Sequence, residues 1–174
     1  FRKTAASSGN AELDALLGEG LHYGTSNLII GPAGSGKSTI STMFAHAAAA
    51  RRERVNYYIF DETTATLCER AEAMHIGLAP HLEARLLKIE QVDPAVISPG
   101  ELAFRIRSAV EQEKVRVVVL DSLNGYITAM PHEEFLHLHL HELLTYLNQQ
   151  GVMTMMVLAQ HGLIGPMGTP IDVS

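Results

Sequence analysis

The sequence predicts an α/β fold, a mostly parallel β-sheet with helices on both faces. Three observations carry that expectation. Strand-like apolar runs alternate with helical periodicities along the chain, an order that favours parallel strands joined by crossover helices. Val115 to Leu120 is an almost unbroken β-branched run, the pattern of a strand buried on both faces. Between the apolar run Leu28-Ile29-Ile30 and an alanine-rich stretch lies Gly31-Pro32-Ala33-Gly34-Ser35-Gly36-Lys37-Ser38, which fits G-x-x-x-x-G-K-[ST] and reads as strand, phosphate-binding loop and helix.

The elements follow in order. Leu13, Leu16 and Leu17 place a short helix over Ala11 to Leu17, with Asn10 as its cap and Gly18 and Gly20 closing it. The loop strand follows a turn at Gly24, and Lys37 to Ala50 is a helix of small residues able to lie close against a sheet. Val55 to Phe60, rich in β-branched and aromatic residues, reads as a strand ending in Asp61-Glu62. Thr63 or Thr64 caps a helix running to about His75, with Leu67, Ala71 and Met74 on one face and Gly77 closing it. Arg85 to Ile89 makes a short strand, and Ser98-Pro99-Gly100-Glu101 is a capping box opening a helix striped by Leu102, Ile106, Ala109 and Val110. Val115 to Leu120 is the next strand. Glu133 to Gln149 carries leucines at helical spacing, and Val152 to Leu158 is a strand followed by Ala159-Gln160-His161 and a loop rich in Gly and Pro.

Composition narrows the function classes. A chain of 174 residues with 47% hydrophobic content suffices for one core and is short for two, so residues 1–174 are expected to form a single domain. Formal net charge is −6, and no basic cluster exceeds Arg51-Arg52-Glu53-Arg54, which argues against a strong nucleic-acid footprint. Cys68 is the single cysteine; it rules out an internal disulfide, suits a reducing cytoplasmic setting, and reads as a small core residue. The longest apolar run, Val152 to Ala159 broken by Thr154, is far short of a bilayer span, so no membrane association is expected. The chain opens on Phe1 and closes on Ile171-Asp172-Val173-Ser174, which reads as a strand just beginning; the expectation is a fragment of a longer protein that stops before the last strands.

The glycine-rich loop sets the chemistry. Its glycines let successive N–H groups turn inward on a polyphosphate, and the helix that follows adds its positive dipole end. Lys37 is placed to reach the β- and γ-phosphates, Ser38 to give a hydroxyl to Mg2+, and Thr39 to follow on the same turn. The chain is therefore expected to bind a nucleoside triphosphate. Asp121, at the end of Val117-Val118-Val119-Leu120, fits the Walker B position, where a carboxylate orders the cation.

Asp61 and Glu62 are the candidates for activating water, with the alternative that both serve only the dipole of the next helix. Adjacent strand residues point to opposite faces, so one of the two is expected to face the nucleotide. Gln160 follows the strand after Asp121, where a polar side chain either senses a γ-phosphate or simply ends the strand. His137 and His141 lie one turn apart on a helix, but with no third ligand and no H-E-x-x-H order, an exposed or interfacial face including His139 is the preferred reading. His46 reads as a packing or surface residue.

Most of the chain resembles a known family. Ser8-Gly9-Asn10-Ala11-Glu12-Leu13-Asp14-Ala15-Leu16-Leu17-Gly18-Glu19-Gly20-Leu21, Gly24 and the P-loop are similar to the opening segment of RecA-like ATPases of the KaiC, RadA and Sms group, with Glu19 departing from a triple glycine. Phe60-Asp61-Glu62-Thr63 resembles the Phe-Glu-Glu-Thr of KaiC, whose paired glutamates include the catalytic base; Glu62 matches the second, and Asp61 shortens the first by one methylene. Asp121-Ser122 resembles the Walker B Asp-Ser.

The resemblance implies a RecA-like P-loop NTPase fold, ATP as the nucleotide with Mg2+, and hydrolysis with Glu62 ahead of Asp61 and Lys37 completing the catalytic set. It also implies a hexameric ring with nucleotide at the subunit interfaces, clock-type or signalling regulation through partner proteins, and autokinase activity. Ser174 falls near the phosphorylated segment of KaiC but is not assigned as a site, and the basic residues that reach a neighbouring nucleotide lie beyond the chain. Two other functions share these landmarks. A RecA or RadA type DNA-dependent ATPase calls for basic loops after Asp121, yet Asn124 to Glu134 has no Lys or Arg. An ATP-dependent assembly module with little turnover is suggested by Asp61 in place of glutamate.

Overall fold

The fold grows from strands that bury both faces. A computed structural model describes residues 4–129 and 134–160. Its central sheet has five strands in the order β3-β7-β6-β4-β5, every pairing parallel. These are β3 (Ser26–Gly31), β4 (Arg54–Ile59), β5 (Leu87–Gln91), β6 (Val115–Asp121) and β7 (Met153–Ala159). In β6 alternation sends Val117 and Val119 to one face and Val118 and Leu120 to the other, and all four are fully buried.

Helices cover both faces. On one lie α2 (Lys37–Ala50), α3 (Thr64–Ala73) and the short α4 (Ala79–Glu83), with Phe44, Ala45, Ala48, Leu67 and Ala71 packed on Tyr57, Val119 and Met155. On the other lie α5 (Pro99–Glu113), α6 (Asn124–Ala129) and α7 (Glu134–Gln149), where Ile106, Tyr126, Leu143 and Leu147 pack on Tyr58, Val118 and Leu120. The alanines of α2 let its backbone approach the sheet, whereas α5 and α7 fill their layer with larger side chains.

Boundaries and caps differ from expectation in instructive places. Asn10 caps α1 (Ala11–Leu16) by accepting from Glu12 and Leu13 N–H. Thr63, not Thr64, caps α3. The capping box at α5 is half made: the Ser98 hydroxyl accepts from Glu101 N–H at 3.1 Å, but the Glu101 carboxylate accepts from Arg105 at 2.6 Å rather than turning back to the cap. A guanidinium one turn along outcompetes a neutral N–H for that carboxylate. Strand β5 lies two residues later than the expected Arg85 to Ile89, because Arg85 takes a left-handed turn, φ 55°, after α4.

Helices α4 and α6 and the small antiparallel pair β1 (Ala5–Ala6) with β2 (Leu21–His22) were not expected. Each is too short to show a periodicity. The expected loop after His161, the terminal strand at Ile171 to Ser174 and the helix start at Glu133 lie outside the described residues. Among the described residues, no helix is long and apolar enough to cross a membrane.

Candidate functional site

The topology brings three chain segments to one edge of the sheet. Strand β7 separates β3 from β6, so the P-loop and Asp121 leave the same carboxyl edge with one strand between them. Strand β4 lies on the far side of β6, its last residue Ile59 in register with Asp121 and Phe60 N–H donating to the Asp121 carbonyl at 3.1 Å. Asp61 and Glu62 are thereby carried to the same edge, where ligands of open α/β sheets bind.

The loop from Gly31 to Ser38 turns on Gly34 and Gly36, at φ 77° and 84°, conformations that side chains resist. Gly31 ends β3 and its carbonyl accepts from Gln160 N–H at 3.0 Å, while Pro32, Ala33 and Ser35 are exposed. Gly36 caps α2 without a side chain, and the first turn carries no acidic residue. The N–H groups of a long helix are thus left to a ligand. A cleft of about 260 Å³ opens there, lined by Gly34, Gly36, Lys37, Ser38, Thr39 and Arg70. The Lys37 ammonium is folded onto the loop, donating to the Pro32 carbonyl at 2.5 Å. Thr39 turns its hydroxyl to the Met74 sulfur at 3.4 Å.

Asp121 is buried, and the Tyr57 hydroxyl donates to its Oδ2 at 2.8 Å. Burial pushes its carboxyl above the usual range, and the Ser38 and Tyr57 hydroxyls pull against that shift. Ser38 lines the cleft, and its hydroxyl lies near enough to the Asp121 carboxyl to act on it. This hard-oxygen pair fits Mg2+, which takes few protein ligands and keeps several waters. Among the described residues, no three His, Cys, Asp or Glu side chains converge as a metal site, and His137 and His141 are exposed on α7.

The carboxylate pair departs from the sequence expectation. Strand β4 ends at Ile59, so Asp61 and Glu62 sit in the turn before α3 and strand alternation does not sort them. Their partners do. The Asp61 Oδ2 accepts from the Ser122 hydroxyl at 2.9 Å. Glu62 accepts both arms of Arg70, at 2.5 and 2.8 Å, and so stands beside the cleft that Arg70 lines. Gln160 is exposed next to Gly31.

Three residues escaped the sequence reading. Arg70 is the sole basic residue of α3, and that was the available signal. Tyr57 needs the β4–β6 pairing to reach Asp121, and Asn124 clamps β7 by exchanging bonds with the Ala159 N–H and carbonyl at 2.7 and 2.9 Å. Neither gave a local signal. The arrangement can hold a polyphosphate against N–H groups and two cations, seat a divalent ion, and present a carboxylate to water.

Comparison with known proteins agrees with this chemistry. The family described as "ATPase: KaiC" matches residues 6–166. The circadian clock protein KaiC2 of Synechocystis sp. is 32% identical over 124 residues, covering 71% of this chain and 22% of that protein. The circadian clock oscillator protein KaiC of Synechococcus elongatus is 26% identical over 129 residues, 74% of this chain and 25% of that protein. The chain thus spans about a quarter or less of the length of these curated relatives.

Proposed function

Because this chain belongs to the KaiC ATPase family, we propose that it binds Mg-ATP at the P-loop and hydrolyses it slowly, as one unit of a ring oligomer serving clock-type or signalling regulation. The observation that carries the reading is the uncapped start of α2 opening on the cleft that Gly34, Gly36, Lys37 and Ser38 line. Ser38 and Asp121 would hold a Mg2+ ion, whose chemistry would be to offset the negative charge of the phosphates. The loop N–H groups orient the phosphates, Lys37 leaves the Pro32 carbonyl for the β- and γ-phosphates, and Gln160 is assigned to sensing the γ-phosphate. A water oxygen attacks the γ-phosphorus as the bond to the β–γ bridging oxygen breaks; ADP departs, and Glu62 takes the water proton.

Steady-state phosphate release by the full-length protein with Mg-ATP, with and without single-stranded DNA, tests this. The expected result is slow turnover indifferent to DNA, with Lys37→Ala lowering ATP affinity by about tenfold or more. Unchanged ATP affinity in that variant rejects the P-loop assignment, and strong DNA stimulation transfers the protein to the RecA or RadA class. The absence of Lys and Arg from α6, the segment that follows Asp121, speaks against that class.

Following γ-labelled phosphate onto protein rather than into solution tests the autokinase activity. A second reading, an ATP-held assembly with incidental turnover, is favoured by one observation: Glu62 is tied up by Arg70. Nucleotide-dependent ring formation that persists in a protein with no measurable turnover selects it.

A further inference from the structure

Arg70 has two claims on it. From α3 its guanidinium forks onto both oxygens of Glu62, at 2.5 and 2.8 Å, the planar bidentate geometry that matches arginine to carboxylates and to phosphates alike. The same side chain lines the cleft of Gly34, Gly36, Lys37 and Ser38 where the phosphates are expected. The pair is not sealed in the core: the Arg70 side chain is 36% exposed and that of Glu62 19%. An incoming anion can reach it.

We propose that Arg70 senses the γ-phosphate by exchanging partners, giving up the Glu62 carboxylate for the terminal phosphate of ATP. The inference rests on the nucleotide reading above and adds to it a coupling. A terminal phosphate carries more charge than a carboxylate and offers a guanidinium the same fork of oxygens. Without a γ-phosphate the competition favours Glu62, which stays neutralised and turned from water. With one, Arg70 moves and Glu62 is released as a free base at the moment there is something to hydrolyse. The exchange depends only on the difference in Arg70's affinity for its two partners, so ADP, whose phosphates end one group short, leaves the pair closed.

The test measures dissociation constants of Mg-ADP and of the non-hydrolysable Mg-AMPPNP on the full-length protein. Arg70→Ala is expected to weaken Mg-AMPPNP about tenfold or more while leaving Mg-ADP within about twofold, and Arg70→Lys to recover only part of the loss. Glu62→Gln removes the competing charge, so it is expected to tighten Mg-AMPPNP severalfold with Arg70 present, and to lose that effect in the Arg70→Ala background.

Equal weakening of both nucleotides, or tightening by Glu62→Gln that persists without Arg70, overturns the exchange. If Arg70→Ala fails to fold, Arg70→Lys serves as the background instead: the exchange predicts that the Glu62→Gln gain in Mg-AMPPNP affinity shrinks with lysine at position 70, whereas simple loss of a negative charge predicts the same gain in both backgrounds. Wild-type protein that binds neither nucleotide sinks the underlying nucleotide reading instead. That outcome is distinct from ADP binding without γ-phosphate selectivity, which sinks the exchange alone.

Discussion

Asp121 and Glu62 leave neighbouring strands at the same sheet edge, yet they are held by opposite means. Asp121 is the last residue of β6, buried, and fixed by a tyrosine hydroxyl from β4. Glu62 lies past the end of β4, in a turn, fixed among the described residues by a partly exposed arginine. The first is a part of the core that happens to reach the site, and its position changes only if the sheet does. The second is a rim group whose partner can be replaced. That contrast suits the proposed roles: a cation ligand would profit from rigidity, whereas a base that acts only when substrate is present would profit from a releasable partner.

Glu62→Gln breaks the comparison most sharply. Removing a general base lowers turnover by about 10²–10⁴-fold, and because the rim pair contributes little to the fold, the melting temperature is expected to stay nearly constant. Phosphate release and thermal melting on the same preparation check both halves, and a large melting shift would make Glu62 a structural residue.

Tyr57→Phe attacks the rigid side instead. It removes a donor from a buried carboxylate and is expected to destabilise the fold by about 1–2 kcal/mol in chemical denaturation. It also moves a pH limb. Burial, the dominant influence on Asp121, holds its carboxyl above the ordinary value. Protonation therefore favours the fold: that increment is complete below the ordinary carboxylate value and is lost as pH rises through the raised one. Cation binding needs the ionised form, so Mg2+ affinity falls as pH drops through the raised value. Tyr57→Phe pushes that limb to higher pH, which Mg2+ titrations across the acid range would register; an unmoved limb would mean that another group titrates there.

Asp61→Ala is the smallest change. Its carboxylate is exposed and meets a single hydroxyl, that of Ser122. Stability is expected to move by about 0.5 kcal/mol or less and nucleotide affinity hardly at all. A loss of turnover matching that of Glu62→Gln would place the catalytic burden on the first carboxylate and undo the contrast.

How far the sequence could be read follows from the range of each interaction. Residues 31–38 announce their loop because a glycine-rich turn before a helix is a local device, built from consecutive backbone groups. Helix α2 carries the same bounds in sequence and structure, Lys37 to Ala50, because a glycine cap and a string of alanines specify it within a few turns. Asp121 is legible because an unbroken apolar strand has to end somewhere, and a carboxylate there stands out. The five-residue α4 and six-residue α6 are not legible, since so few residues show no period and depend on neighbours to hold them.

The pairings were decided elsewhere. Tyr57 and Asp121 are 64 residues apart and meet only because β4 lies beside β6. Arg70 and Glu62 are eight apart, near enough to suspect, but strand alternation suggested a sorting of Asp61 and Glu62 that disappears once β4 stops at Ile59. By itself the sequence determined the α/β class, the glycine-rich loop and the residue types available for chemistry, all of which arise from hydrogen bonds and periodicities a few residues long. Only the tertiary structure decided which carboxylate is locked in the core and which is shared with an arginine, because burial and ion pairing depend on strand order, and strand order is a property of the packed sheet.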